Sequence, residues 1–284
     1  MEPLGDLPRG IIIAATPLGN PYDASPRLRH ALEHADVIAA EDTRRTRNLA
    51  AALGVEIRGQ VVSNFDHNEQ GRVTQLIDAA RHGSVLVVTD AGMPSVSDPG
   101  FPLVEAAHDA DVAVTCFPGP SAVPTALALS GLPVGRFAFD GFAPRKHGAR
   151  RAWLESLKAE QRAVCFFESP HRIADTLADA AEVLGGSRRA AVCRELTKMF
   201  EEVRRGTLPE LAKWAADGVK GEISVVIEGA SDVVVDLEAV VAVAIERVHA
   251  GERVKAVAAD LAASYGVSKK EIYDAVVSQK TGKS

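Results

Sequence analysis

Five short apolar runs recur at regular intervals through the first 120 residues, each separated from the next by a helical pattern with a readable start or stop. They are Ile11–Ala15, Val37–Ala40, Gln60–Ser63, Val85–Thr89 and Val112–Phe117. Runs this apolar, without alternation, suit strands covered on both faces, and strands alternating with helices predict an open parallel sheet. Ser25-Pro26 and Asp98-Pro99 each offer an N-cap followed by proline at the first helical position, and Gly54 closes a helix that starts near Thr43.

The alternation breaks at residues 131–144, Gly-Leu-Pro-Val-Gly-Arg-Phe-Ala-Phe-Asp-Gly-Phe-Ala-Pro, which reads as a connection between domains. A second α/β unit follows, with strands Ala163–Phe167, Ala190–Arg194 and Ile223–Ile227 and helices Arg150–Leu157, Arg172–Leu184 and Leu208–Ala216. Beyond Gly229 lie helical patterns at Leu237–His249, Val254–Tyr265 and Lys269–Ser278. The last two, joined through Gly266 and Ser268, have the layout of a helix-turn-helix or of a plain packing hairpin. The 284 residues thus divide into 1–136, 137–230 and 231–284.

Composition prunes the function classes. Apolar residues make up 46% and charged residues 25%, which excludes dominant disorder. A formal charge of −6 argues against binding nucleic acid by bulk charge, yet basic residues cluster at Arg44/Arg45/Arg47, Arg145/Lys146/Arg150/Arg151, Arg188/Arg189 and Arg204/Arg205, where phosphate can be held locally. Met1-Glu2-Pro3 has no basic leader and Ile11–Ala15 is too short to span a membrane, so a cytoplasmic protein with no membrane partner is expected. Cys116, Cys165 and Cys193 are scattered in apolar runs and read as buried core thiols rather than disulfides or zinc ligands; no metal is expected.

Several signatures are missing or broken. No Gly-x-Gly-x-x-Gly follows the first strand, which removes a dinucleotide site. The tail Lys280–Ser284 imitates the end of a phosphate loop but has no strand before it. Gly119-Pro-Ser121-Ala-Val123 imitates a nucleophile elbow without its last glycine. His30 and His34 are four apart on one helix but sit among charges, as a solvated face does.

What remains is a set of loops at the carboxyl ends of the strands, where open α/β sheets bind ligands. Their motifs are Thr16-Pro-Leu-Gly-Asn20, Ala40-Glu-Asp-Thr-Arg44, Asp66-His-Asn-Glu69, Asp90-Ala-Gly-Met-Pro94 with Asp98-Pro-Gly100, and Pro118-Gly-Pro-Ser-Ala122. The second unit adds Phe167-Glu-Ser-Pro-His-Arg172, Arg194-Glu-Leu-Thr-Lys198 and Lys220-Gly-Glu222. On these ordered motifs the chain resembles, over nearly its whole length, the tetrapyrrole-methylase superfamily, in the branch that methylates ribosomal RNA. Met93 stands where that pattern usually has Thr, and Ser97 where it usually has Asn.

The resemblance implies two α/β domains with a cleft between them, a small C-terminal helical domain, and S-adenosylmethionine in the cleft. The expected cofactor residues are Pro17, Asp90, Ala91, Gly92, Pro94, Val96, Ser97, Asp98, Ser121 and Ala122 from the first domain, and Phe167, Glu168, Leu196, Gly221, Glu222 and Ile223 from the second. It further implies 2′-O-methylation of a cytidine ribose in 16S rRNA of the 30S subunit, and a homodimer.

A ribose hydroxyl attacks only as it loses its proton, so a general base is required. The candidates are Glu41, Asp42, Asp66, His67, Glu69, Glu195 and Lys198. RNA positioning falls to Arg44, Arg45, Arg145, Lys146 and Arg172 on phosphates, with His67 or a cleft aromatic on the base and Lys269 and Lys270 at the C-terminal helices. Two other readings stand beside this one: a small-molecule methyltransferase acting on a tetrapyrrole, and a non-catalytic RNA-binding module.

Overall fold

The computed structural model describes residues 5–64, 69–96, 100–230, 237–265 and 267–281. The chain forms two compact units, Met1–Ala230 and Ser231–Ser284.

In the first unit, β1 (Gly10–Ala14), β2 (Val37–Ala40), β3 (Gln60–Ser63), β4 (Ser84–Val88) and β5 (Val114–Phe117) form one all-parallel sheet in the order β3-β2-β4-β1-β5. Successive side chains of a strand point to opposite faces, and here both faces are dry. Ile12, Ala14, Ile38, Leu86 and Val88 pack with α1 (Pro26–His34) and α2 (Thr43–Ala52), while Ile11, Ile13, Ala39, Val85 and Val87 pack with α3 (Glu69–His82) and α4 (Phe101–Asp109). The expected Ser25 cap is present: its hydroxyl accepts from Leu28 N at 3.0 Å with Pro26 behind it. Asp98 and Pro99 lie outside the described residues, and α4 starts later than expected, at Phe101 behind Gly100.

The second sheet runs β6-β7-β10-β8-β9, with β6 (Phe137–Phe142), β7 (Ala163–Glu168), β8 (Arg189–Arg194), β9 (Glu202–Thr207) and β10 (Ile223–Ile227). β6 lies parallel to β7, and the remaining pairs are antiparallel. Val164, Phe166, Val192, Val225 and Ile227 face α6 (His147–Ser156), α7 (Ile173–Leu184) and α8 (Leu208–Ala216). The alternate residues Ala163, Cys165, Ala191, Cys193 and Val226 face α5 (Ala122–Ser130), which packs through Val123, Ala126 and Leu127. α5 follows a strand of the first sheet in sequence but is buried on the second.

Three expectations are corrected. Residues 131–144 are not only a connection: Phe137–Phe142 is a strand whose register shifts between Phe139 and Phe142. β9 is absent from the sequence expectations, because Glu202-Val-Arg-Arg-Gly-Thr207 is a charged edge strand with no apolar run to signal it. Cys165 and Cys193 are buried, but Cys116 is exposed, since β5 is the edge of its sheet.

The 231–284 unit holds α9 (Leu237–His249), α10 (Val254–Tyr265) and α11 (Lys269–Thr281) around its own core of Val240, Val241, Ala244, Val257, Leu261, Ile272 and Val276. Ser268 caps α11, accepting from Glu271 N at 3.4 Å, and Lys269 and Lys270 beside it are exposed. No helix among the described residues is long and apolar enough to cross a membrane.

Candidate active site

The parallel sheet reverses its winding between β2 and β4: β2 continues into α2 on one face and β4 into α4 on the other. Neighbouring strands whose exits part in this way leave a crevice at their carboxyl ends. A cleft of about 400 Å³ opens there and runs to the second sheet, entirely within the 1–230 unit. Its first wall is Leu18 after β1, Glu41 and Arg45 after β2, Asp90–Met93 and Val96 after β4, and Ser121 and Ala122 after β5. The opposite wall is Phe142, Phe167–Pro170, Leu196 and Gly221–Ser224.

The β1 and β4 loops are tied by a reciprocal pair, Thr16 N to Gly92 O at 2.9 Å and Gly92 N to Thr16 O at 3.0 Å. The Thr16 hydroxyl, fully buried, donates to Thr89 O at 3.1 Å. Asp90 N donates to Glu41 Oε2 at 3.0 Å, Asp42 N donates to Asp90 Oδ1 at 3.2 Å, and Arg45 Nη1 lies 3.1 Å from Asp90 Oδ2. Burial pushes the Asp90 carboxyl above the ordinary carboxylate range, Arg45 opposes that, and the negative charges of Asp42 and Glu222 add to it. Asp42 itself is an N-cap, its Oδ1 accepting from Arg44 N at 2.7 Å and Arg45 N at 3.3 Å, and those N–H groups hold it below its ordinary value.

Across the cleft, Glu195 and Thr197 adopt left-handed backbone conformations, φ 51° and 64°. Side chains avoid that region unless surrounding contacts enforce it. Here Glu195 N donates to Glu222 O at 3.0 Å, Glu222 N donates to Glu195 Oε1 at 3.0 Å, and Asn20 N donates to Thr197 Oγ1 at 3.1 Å. Lys198 Nζ donates to Glu195 Oε1 at 3.0 Å and to Glu222 Oε2 at 2.9 Å. Its stem crosses Gly19, where a Cβ would come within 2.2 Å of Lys198 Cγ, and a Cβ on Gly221 (φ +95°) would come within 2.4 Å of Glu195 Cγ. Only glycine serves at either position. The Glu222 N–H and then Lys198 hold Glu195 below its ordinary value; burial works against the Lys198 charge, but its bonds to Glu222 and Glu195 outweigh that and raise its pKa.

The cleft therefore gathers Asp90, Ala91, Gly92, Val96, Ser121, Ala122, Phe167, Glu168, Leu196, Gly221, Glu222 and Ile223 of the expected cofactor residues, while Pro17 and Pro94 stand outside its lining. Ser97 and Asp98 lie outside the described residues. Glu168 reaches the cleft without its carboxylate, which is fully buried, accepts from Thr176 Oγ1 and Ser169 N at 2.7 Å each, and pairs with Arg172. Of the base candidates, Glu41 lines the cleft; Asp42, Glu195 and Lys198 are bonded around its rim. Asp66 and His67 fall outside the described residues, and the Glu69 backbone begins α3.

Among the cations, Arg45 faces Asp90 inside the cleft, Arg44 pairs with Asp42 at 3.5 Å, and Arg145 and Lys146 are exposed before α6. Leu18, Met93, Phe142, Ser169, Pro170 and Ser224 complete the lining, and nothing in the sequence marks them as ligands; the glycines and aromatics around Phe142 mask a strand. Two acidic flanks, an apolar floor and close-approaching main chain suit a ligand with a cationic head and a flat apolar body.

Residues 10–212 match the family described as Tetrapyrrole (Corrin/Porphyrin) Methylases. The chain is 57% identical over 272 residues to a Mycobacterium bovis protein named "Ribosomal RNA small subunit methyltransferase I", covering 95% of both chains. Among solved structures it is similar to a cobalt precorrin-4 methyltransferase, a cobalamin biosynthetic enzyme, with TM-score 0.59, 18% identity and coverage of 79% of this chain and 98% of that one. It is also similar to the Thermus thermophilus uroporphyrin-III C-methyl transferase complexed with S-adenyl homocysteine, with TM-score 0.54, 16% identity and coverage of 77% and 97%.

Proposed function

Because this chain belongs to the tetrapyrrole (corrin/porphyrin) methylases and, within them, to the small-subunit ribosomal RNA methyltransferases, we propose that it methylates the ribose 2′ oxygen of a decoding-centre cytidine in 16S rRNA of the 30S subunit. The coarser activity, S-adenosylmethionine-dependent methylation of small-subunit rRNA, comes with the family. The observation that favours an rRNA over a tetrapyrrole acceptor is the extent of the likeness to its rRNA-methylating relative. That relative matches 95% of the chain, whereas the porphyrinoid enzyme's fold accounts for 98% of itself but only 79% of this chain. The family match also ends at residue 212, ahead of the three-helix unit.

The residues present fit the cofactor. Asp90 and Glu222 offer negative charge to a ligand bearing an ammonium and a sulfonium, Leu18, Val96, Phe167, Leu196 and Ile223 offer apolar surface, and the volume lies in the range of ligand pockets. When bound, S-adenosylmethionine supplies a methyl made electrophilic by its sulfonium. Asp90, braced by Arg45 and the Asp42 N–H, holds the cationic end, and the apolar wall excludes water from the transfer path. Glu41, in the cleft lining, would accept the proton of the 2′-hydroxyl on its carboxylate, leaving the ribose oxygen as the nucleophile for the methyl that the bound cofactor would supply. Lys198 carries its charge throughout, so it positions Glu195 and Glu222 and is no base. Arg44, Arg145 and Lys146 take phosphates, and the enzyme acts as a homodimer in the bacterial cytoplasm, where its rRNA substrate resides.

The test is transfer of labelled methyl from S-adenosylmethionine to 30S subunits from cells lacking this enzyme, followed by mass spectrometry of the nucleosides. Label in 2′-O-methylcytidine is the expected result. Label on a base, or none on 30S particles and free rRNA despite cofactor binding, overturns the reading, and the latter directs attention to a tetrapyrrole acceptor.

A further inference from the structure

The segments that present acids to the cleft present cations on their other side. Arg194 immediately precedes Glu195, Lys220 immediately precedes Gly221 and Glu222, and the two segments are joined by the Glu195 N to Glu222 O bond at 3.0 Å. Behind them is a second, smaller groove of about 280 Å³, lined by Arg194, Glu202, Trp214, Gly218, Val219 and Lys220. The Arg204 guanidinium stands 5.8 Å from the centroid of the half-buried Trp214 ring. Glu202 neutralises Arg194, its carboxylate 2.6 Å from Nε, which leaves Lys220 and Arg204, both beside the groove, as its excess positive charge.

Several other basic side chains of the chain are engaged in structural pairs. Arg150 is buried against Asp179 at 2.7 Å, and Arg151 pairs with Glu182 at 2.6 Å. Arg188 donates to Glu228 O at 2.9 Å, and Arg189 donates to Glu228 Oε2 at 2.9 Å. Arg204 is different: its guanidinium lies over the half-buried Trp214 ring, which itself packs against the second-sheet core, so the cation and the ring form one stacked pair at the groove. Aromatic surface flanked by cations is the combination that holds single-stranded nucleic acid, the ring taking a base face and the cations the phosphate.

We propose that the Trp214–Lys220 groove is a subsite for a nucleotide flanking the one methylated. The target ribose occupies the cleft, the strand passes over the Arg194–Glu195 and Lys220–Glu222 segments, and the neighbouring base packs on the stacked Arg204–Trp214 pair with its phosphate on Lys220. The groove is too small for a duplex, so the occupant is unpaired RNA. This rests on the rRNA reading above, and the experiment separates the two.

Methyl transfer to 30S subunits is measured over a salt series for the wild type and for Lys220→Gln, Arg204→Gln and Trp214→Ala, together with S-adenosylhomocysteine affinity. Removing a stacking ring raises KM for 30S about tenfold, and removing either cation raises it about threefold and lowers the slope of log KM against log salt by roughly one, with kcat and cofactor affinity unchanged. Trp153 and Trp214 are the only tryptophans. In a Trp153→Phe enzyme, titration with a short single-stranded cytidine-containing RNA therefore quenches Trp214 directly, which keeps the test decisive if Trp214→Ala does not fold.

Wild-type methylation with unchanged KM and salt slope in Lys220→Gln and Arg204→Gln, and with unmoved Trp214 emission, overturns the subsite while leaving the function intact. A change in sedimentation of those variants assigns the groove to contact between copies of the chain and equally overturns it. Absence of rRNA methylation by the wild type overturns the function itself.

Discussion

Glu41 and Arg45 both brace Asp90, and the proposed function gives each a chemical part as well. Glu41 accepts from Asp90 N through one carboxylate oxygen, and glutamine can keep that bond while losing basicity. Glu41→Gln is therefore expected to lower kcat by about 100-fold or more, with affinity for S-adenosylhomocysteine held within about threefold, as single-turnover assays and calorimetry would read. Parallel loss of both would make Glu41 a loop brace only. Arg45 opposes the upward push of burial on Asp90, so Arg45→Met raises that carboxyl further. On the proposed reading the Asp90 anion holds the cofactor's cationic end, so the acid limb of the affinity–pH profile should move to higher pH in the variant. A calorimetric pH series with an unmoved limb would remove Asp90 from cofactor binding. The motif residues were legible in sequence because their types are restrictive: Gly221 and Gly19 admit no Cβ. Which of the candidates expected to face the cleft line it, as Glu41 does, and which are loop braces, as Asp42 and Lys198 are, was not legible, since that depends on which hydrogen bonds each carboxylate or ammonium already makes.

At the scale of elements, strands with an apolar run announced themselves, the edge strands β3 and β5 included, and strands without one did not. β2, β3, β10 and α8 lie where the apolar pattern put them, and the starts of α1 and α2 are fixed by Ser25 and Asp42. β6 and β9 escaped because their residues, Phe-Ala-Phe-Asp-Gly-Phe and Glu-Val-Arg-Arg-Gly-Thr, break the apolar run with Gly and charge, which an edge position tolerates. One tie between elements is open to measurement: Asp36, ahead of β2, accepts from Ser84 N at 2.7 Å and Ser84 Oγ at 2.9 Å at the start of β4, and those bonds lower its pKa. A carboxyl whose folded pKa is depressed adds stability that is complete above about pH 4 and disappears as pH falls through the folded value. Asp36→Asn should cost about 1 kcal/mol at pH 7, solvent screening at this exposed position keeping the loss small, and the two proteins should converge in acid. Urea melts at pH 7 and pH 3 giving an equal gap would contradict this.

At the scale of the molecule, the 231–284 unit has a core of its own, and the cleft is built wholly from residues before Ala230. A chain ending at Ala230 should bind S-adenosylhomocysteine normally and lose 30S affinity by about tenfold or more, a difference of ~1.4 kcal/mol. Equal loss of both in calorimetry and filter binding would make the helices a folding requirement.

The burial of α5 on the second sheet also sets a schedule for synthesis. Val123, Ala126 and Leu127 leave the ribosome while their partners at Cys165, Cys193 and Val226 are still untranslated, the last of them about 100 residues away. At about 5–20 residues per second that interval lasts roughly 5–20 s, during which a finished parallel sheet trails an uncovered apolar helix. The first half of this chain is thus born sticky, and a nascent-chain chaperone that shields apolar helices has its natural window between the completion of α5 and the arrival of β10.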